Sequence, residues 1–134
     1  MDNLLNKLFK KPSEKPSKVI QKSLLSHFKG CRNIEWNTSE NSLHEAIFFI
    51  KGQEYLARFS ADGSLVEYKK NLLLSNLPES IQKLTLEHGE LMNAIEIHKA
   101  GVPTLFELIV RDSQLTRFDL IVSENLTLIK KERL

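Results

Sequence analysis

Apolar side chains return every four residues at Ile20, Leu24 and Phe28, the spacing that lines up one stripe of an amphipathic helix. Ser17 precedes them as an N-cap able to accept a first-turn N–H, and Gly30 ends the helix by tolerating the left-handed conformation. The period then changes to two. Asn33-Ile34-Glu35-Trp36-Asn37 predicts a short strand with Ile34 and Trp36 on one side, and the polar run 37–41 predicts a turn. Longer strands follow at Leu43–Ile50 and Gln53–Phe59, joined by Lys51-Gly52, and Asp62-Gly63 turns the chain into a return strand over Ser64–Leu73.

The same order recurs. Leu77-Pro78 opens a second helix with Ile81, Leu84 and His88 on one face, and Gly89 stops it. Strands are expected at Leu91–Lys99, Val102–Val110, Leu115–Val122 and Leu126–Lys131. In the second of these, Phe106, Leu108 and Val110 alternate with Glu107, yet Leu105 and Ile109 keep the opposite face partly apolar, so neither side of the sheet is wholly wet.

Identities support reading the chain as one unit written twice. Ile20-Gln21-Lys22 returns as Ile81-Gln82-Lys83, and the same shift of 61 superposes Leu25 on Leu86, His27 on His88, Ile34-Glu35 on Ile95-Glu96 and Lys69-Lys70 on Lys130-Lys131. Leu56-Ala57-Arg58-Phe59 answers Leu115-Thr116-Arg117-Phe118 at a spacing of 59. The organisation expected is a flexible basic tail and linker over 1–17, with the prolines Pro12 and Pro16, then a domain over 18–134 made of repeats 18–74 and 75–134. The fold class is α+β: tandem helix-plus-four-strand repeats forming one curved antiparallel sheet with helices packed on one face.

Charge narrows the partners. The formal net charge of +2 is concentrated in residues 1–18, which hold five Lys against Asp2 and Glu14, so the remainder is close to neutral and lacks the footprint of a nucleic-acid binder. Leu4, Leu5, Leu8 and Phe9 among Lys7, Lys10 and Lys11 give a short basic amphipathic pattern, a weak membrane contact through residues 1–11. The 134 residues suffice for a core without metal or disulfide, and the single Cys31 cannot form an internal disulfide. No leader is visible at the start, which points to the cytoplasm, or to export if a leader has been removed.

Candidate chemistry is thin. His27 and His88 at the two helix ends lack the further ligands of a metal site, and a helix C-terminus already favours a His cation. Cys31 follows a helix C-terminus, whose negative end disfavours a thiolate. No phosphate loop, zincin pair or nucleophile elbow occurs, so neither a catalytic residue, nor a cofactor, nor a metal is assigned and the protein is read as no enzyme. Trp36 is expected in the core beside Ile34. Tyr55, Arg58, Tyr68 and Arg117, strand residues of types that anchor interfaces, are the candidate binding residues.

The order of anchors, Trp36 after the first helix, the hairpin from Ala46 to Phe59 around Phe48 and Gly52, the Asp62-Gly63 turn and Leu77-Pro78, resembles the PepSY-like family, which is similar to the beta-lactamase inhibitory protein. The resemblance runs from about Lys18 to the end. It implies two helix-plus-four-strand units joined in one curved sheet and a noncatalytic role in binding or inhibiting an unknown protein partner through the open sheet face or edge. The other reading is a carrier of a small apolar ligand or lipid, suggested by strands apolar on both sides.

Overall fold

The computed structural model describes residues 15–39 and 41–134. The basic amphipathic segment and its membrane contact lie outside them. Among the described residues two α-helices, α1 (Lys18–His27) and α2 (Glu79–Leu86), accompany eight strands: β1 (Arg32–Thr38), β2 (His44–Ile50), β3 (Gln53–Phe59), β4 (Leu65–Leu72), β5 (Glu90–Lys99), β6 (Leu105–Arg111), β7 (Arg117–Ser123) and β8 (Leu128–Arg133). The fold is α+β, and the strands form one open antiparallel sheet in chain order. Two compact units divide between Tyr68 and Lys69, and each has its own core.

In the first unit Ile20, Leu24 and Phe28 of α1 are buried together with Trp36, Ala46, Phe48, Ala57 and Phe59, as the fourfold spacing requires. Ser17 takes the N-cap position without a side-chain cap. Instead Gln21 Nε2 donates to the Pro16 carbonyl at 2.7 Å, and Pro16 is buried. Lys51-Gly52 makes the expected two-residue hairpin, with φ of 49° and 80° and Ile50 facing Gln53.

In the second unit the buried stripe of α2 is Ile81 and Thr85, and Leu77, just before the helix, is buried with them. Leu84 and His88, placed on that stripe by the sequence, are only half-buried. Thr85 enters the core because its hydroxyl donates to the Ile81 carbonyl at 2.7 Å, satisfying the polar group within the helix. Gln82 Nε2 donates to the Leu77 carbonyl at 2.7 Å, the bond Gln21 makes in the first unit. Gly89 is obligatory: a Cβ there would lie 2.6 Å from the Arg111 carbonyl oxygen, and its φ is +147°.

Three strands, β6, β7 and β8, begin two or three residues later than the hydrophobic pattern suggests. Pro103 lies inside the segment 102–104, which stays outside β6 because proline donates no ladder hydrogen bond. Leu115 and Leu126 belong to turns, with φ of 64° and 72°. In each turn the first N–H donates to the carbonyl four residues on, Asp112 to Thr116 and Ser123 to Thr127, and the leucine N–H donates back, to Asp112 and Ser123. Leucine is a poor residue for that conformation, and Leu115 is 70% exposed, so packing does not compensate it. Leu115→Gly is expected to raise stability by about 0.5 to 1 kcal/mol. An unchanged or lowered urea midpoint contradicts this.

Candidate functional site

Side-chain alternation divides each unit's strands into a side that packs on the unit's helix and an opposite side that carries no helix among the described residues, called the helix-free side below. In the first unit Ala46 and Phe48 of β2 and Tyr55, Ala57 and Phe59 of β3 face α1. Glu45, Ile47 and Phe49, with Glu54, Leu56 and Arg58, therefore face away. Ile47 and Leu56 are 1% and 2% exposed, so the helix-free side has an apolar floor. In the second unit Phe106, Leu108, Val110, Leu120 and Val122 belong to the core under α2. The helix-free side then carries Leu105, Glu107 and Ile109 of β6 and Asp119 and Ile121 of β7. Ile95 and Ile97 of β5, buried outside that cluster, lie on this side by alternation from Ala94. The expectation that neither side is wholly polar holds.

Two charged clusters stand on this apolar ground. In the first unit Arg58 Nε donates to Glu45 Oε2 at 2.8 Å, and its Nη1 donates to Glu67 Oε1. Glu45 is 0% exposed, so a carboxylate has been taken wholly out of water against a guanidinium. Burial alone lowers the Arg58 pKa, but hydrogen bonds and charge from both carboxylates outweigh it and the net displacement is upward.

In the second unit the pairing of β6 with β7 sets Glu107 opposite Ile121 and Asp119 opposite Ile109, so the two acids are diagonal neighbours on one face. Asp119 is 5% exposed, and its Oδ1 receives no hydrogen bond from an N–H or hydroxyl donor among the described residues. Burial, then the hydrogen bond and negative charge of Asp119, push the Glu107 carboxyl up to about 7, with Lys69 opposing. Lys130 and Glu132 lie on the same side of β8, bonded to each other at 2.8 Å.

The four residues singled out from the sequence do not share a surface. Tyr55 and Tyr68 lie on the helix side, half-buried, with ring centroids 6.0 and 5.1 Å from Phe28. Arg58 sits on the helix-free side. Arg117 is the exposed first residue of β7, whose carbonyl accepts the Leu134 N–H at 2.9 Å. Arg58 is instead the last residue but one of β3, so the tetrapeptides at 56–59 and 115–118 occupy unlike places. Trp36 is buried, as expected.

His27 Nδ1 is 2.9 Å from the Ser23 carbonyl of its own helix, and His88 Nδ1 is 3.3 Å from Lys131 Nζ. Among the described residues no group of three or more side chains of metal-ligating type comes together. Burial pushes the Cys31 thiol up, away from a reactive thiolate. Sequence reading passed over the acid pair, although a signal exists: Phe106-Glu107-Leu108-Ile109-Val110 and Phe118-Asp119-Leu120-Ile121-Val122 are one pattern, and antiparallel pairing of two such strands brings their acids together. It also passed over His98, whose Nε2 meets Glu96 and whose Nδ1 lies 3.3 Å from the Thr104 hydroxyl.

No family model and no curated protein matches the sequence. Solved structures do match. A BLIP-like protein from Bacteroides fragilis aligns with a TM-score of 0.77 and 20% identity, covering 91% of this chain and 89% of its own. The chain shares the fold of that protein. A DUF2874 family protein from Bacteroides uniformis aligns with a TM-score of 0.78 at 13% identity, covering 89% and 90%. A Bacteroides eggerthii protein, provisionally described as periplasmic, aligns with a TM-score of 0.78 at 12% identity, covering 90% of each chain. In the chain in hand no helix among the described residues is long and apolar enough to cross a membrane.

Proposed function

We propose that this protein is a noncatalytic, inhibitor-like module that binds another protein through the helix-free side of its strands. The observation that carries the reading is the composition of that side, where half-exposed Phe49, Ile109 and Ile121 stand among buried aliphatics and charged clusters. An apolar centre with few, fixed charges is the composition of an interface core. The BLIP-like description of the Bacteroides fragilis neighbour supports it. Within this reading Arg58, already held in place by two carboxylates, supplies orientation, while Tyr55 and Tyr68 act through the core beneath.

The duplicated organisation belongs to the same reading. Gln21 and Gln82 each hold the carbonyl five residues before them, and Ile20 and Ile81 each lead the buried stripe of their helix. We read residues 18–74 and 75–134 as copies of one PepSY-like module on that support. A carrier of apolar ligands gains no comparable support, since the space between α1 and its strands is filled by Phe28, Phe48 and Tyr55, with centroids 4.9 to 6.0 Å apart.

Photo-crosslinking tests the proposal. A benzoylphenylalanine at Phe49 or Ile121 is expected to capture a protein from the source extract, and the same probe at Leu25, on the exposed side of α1, to capture none. Equal capture from both sides sinks it.

A further inference from the structure

On the helix-free side of the second unit, two carboxyl groups are diagonal neighbours on β6 and β7, among Leu105, Ile109 and Ile121, with the paired Arg111 and Arg117 on the same side where the two strands meet their connecting turn. Ile109 and Ile121 face them in the register, and Ile95 of β5 pairs with Glu107. Among the described residues Lys69 of β4 and Lys130 of β8 act on the pair, and the charge of the α-amino group opposes the upward shift of Glu107 as Lys69 does. Lys130 is bonded to Glu132, and neither acid has a salt bridge among the described residues. Two carboxylates so placed repel each other, and the buried Asp119 Oδ1 needs a donor.

We propose that Glu107 and Asp119 hold a single proton between them, so that this patch is a charge switch that a partner covering it must keep protonated. One proton removes the repulsion and turns Glu107 into a donor for the carboxylate beside it, as in other paired acids. The partner part of the inference rests on the binding role proposed for this face. A partner that covers Ile109 and Ile121 covers Glu107 too, and further loss of water favours the neutral form more strongly. Binding therefore takes up a proton, and affinity falls as pH rises above the midpoint of the free pair, by up to about tenfold per pH unit.

The sign for folding is the same. With the folded Glu107 at about 7, above its ordinary 4.5, the folded protein keeps a proton between those values that the unfolded chain has released. Stability falls as pH rises across that window, and the loss is complete above 7.

Carbon-detected NMR titration of the side-chain carboxyls decides the first half without any partner. Glu107 is expected to titrate near 7 in the wild type and at lower pH in Asp119→Asn. A Glu107 midpoint near 4.5, or one that Asp119→Asn leaves in place, overturns the shared proton. Glu107→Gln provides a second measurement, since the amide mimics the protonated acid: its urea midpoint should stay level between pH 5 and 8 while that of the wild type falls. Parallel curves overturn the proposal. Capture from the Ile121 probe at pH 6 and 8 then tests the gating. Wild-type yield should drop at pH 8 and Glu107→Gln yield should not; equal yields in the wild type reject the gating. Failure of capture at both pH values rejects the binding role, and the gating with it, while leaving the titration to decide the proton.

Discussion

Replacing Phe48 by alanine is expected to destabilise the first unit by roughly 3 to 5 kcal/mol, the largest effect of any single core change. Phe48 is 0% exposed and lies where three rings meet. Its centroid is 4.9 Å from that of Phe28 on α1 and 5.4 Å from that of Tyr55, which stacks at 14°. Removing the ring takes away the apolar surface it buries and leaves a hole bounded by groups that are themselves fixed, Phe28 by its helix and Tyr55 by its strand. Such a site cannot collapse inward easily, so the cavity cost adds to the transfer cost. Chemical denaturation followed by Trp36 fluorescence measures it, because Trp36 belongs to the same core, 6.2 Å from Phe59. Phe48→Leu, which keeps most of the volume, should lose less than half as much. A loss under 1 kcal/mol for Phe48→Ala contradicts the packing described.

Most of the architecture was legible because local rules and tertiary context agree there. The stripe Ile20, Leu24 and Phe28 is a helical period with no competing pattern, and Lys51-Gly52 has both the residue type and the spacing of a two-residue hairpin. Misreadings fall where a residue is used against its type. Leu115 and Leu126 look like the first residues of strands, but each occupies the left-handed position of a turn, where glycine or asparagine is the usual choice. Thr85 looks like a surface residue of α2, but it returns its hydroxyl to the helix and is buried.

The candidate site was less legible, for a related reason. Residue type singles out Tyr55 and Tyr68, whereas which side of the sheet a side chain faces is a matter of register, and a register is a property of two strands. Glu107 and Asp119 show the same limit in reverse. Each is an unremarkable acid in its own strand, and only the pairing of Leu108 with Leu120 makes them neighbours. The likeness of 56–59 to 115–118 misleads in the same way, since three shared residues sit near the end of β3 and around the start of β7.

Arg58 shows how such a pairing becomes a stability effect. Arg58→Ala is expected to cost roughly 2 to 4 kcal/mol, more than a surface ion pair is worth, because the partner it deserts is the fully buried Glu45. The Arg58 side chain is itself 19% exposed, which places the expected loss below that of a wholly buried pair. Most of it is the cost of a carboxylate in a dry setting without the guanidinium 2.8 Å away, and only a minor part is the attraction itself. Three variants separate these contributions. Glu45→Gln in the Arg58→Ala background should recover more than half of the loss, since the charge left behind is gone. Arg58→Lys should fall between wild type and Arg58→Ala, because one ammonium on a flexible stem does not reproduce the two-pronged contact with Glu45 and Glu67. In Glu67→Gln the loss should stay under about 1 kcal/mol, Glu67 being at the wetter end of the cluster. If Arg58→Ala and the double variant unfold at the same urea concentration, the buried charge is not what Arg58 compensates.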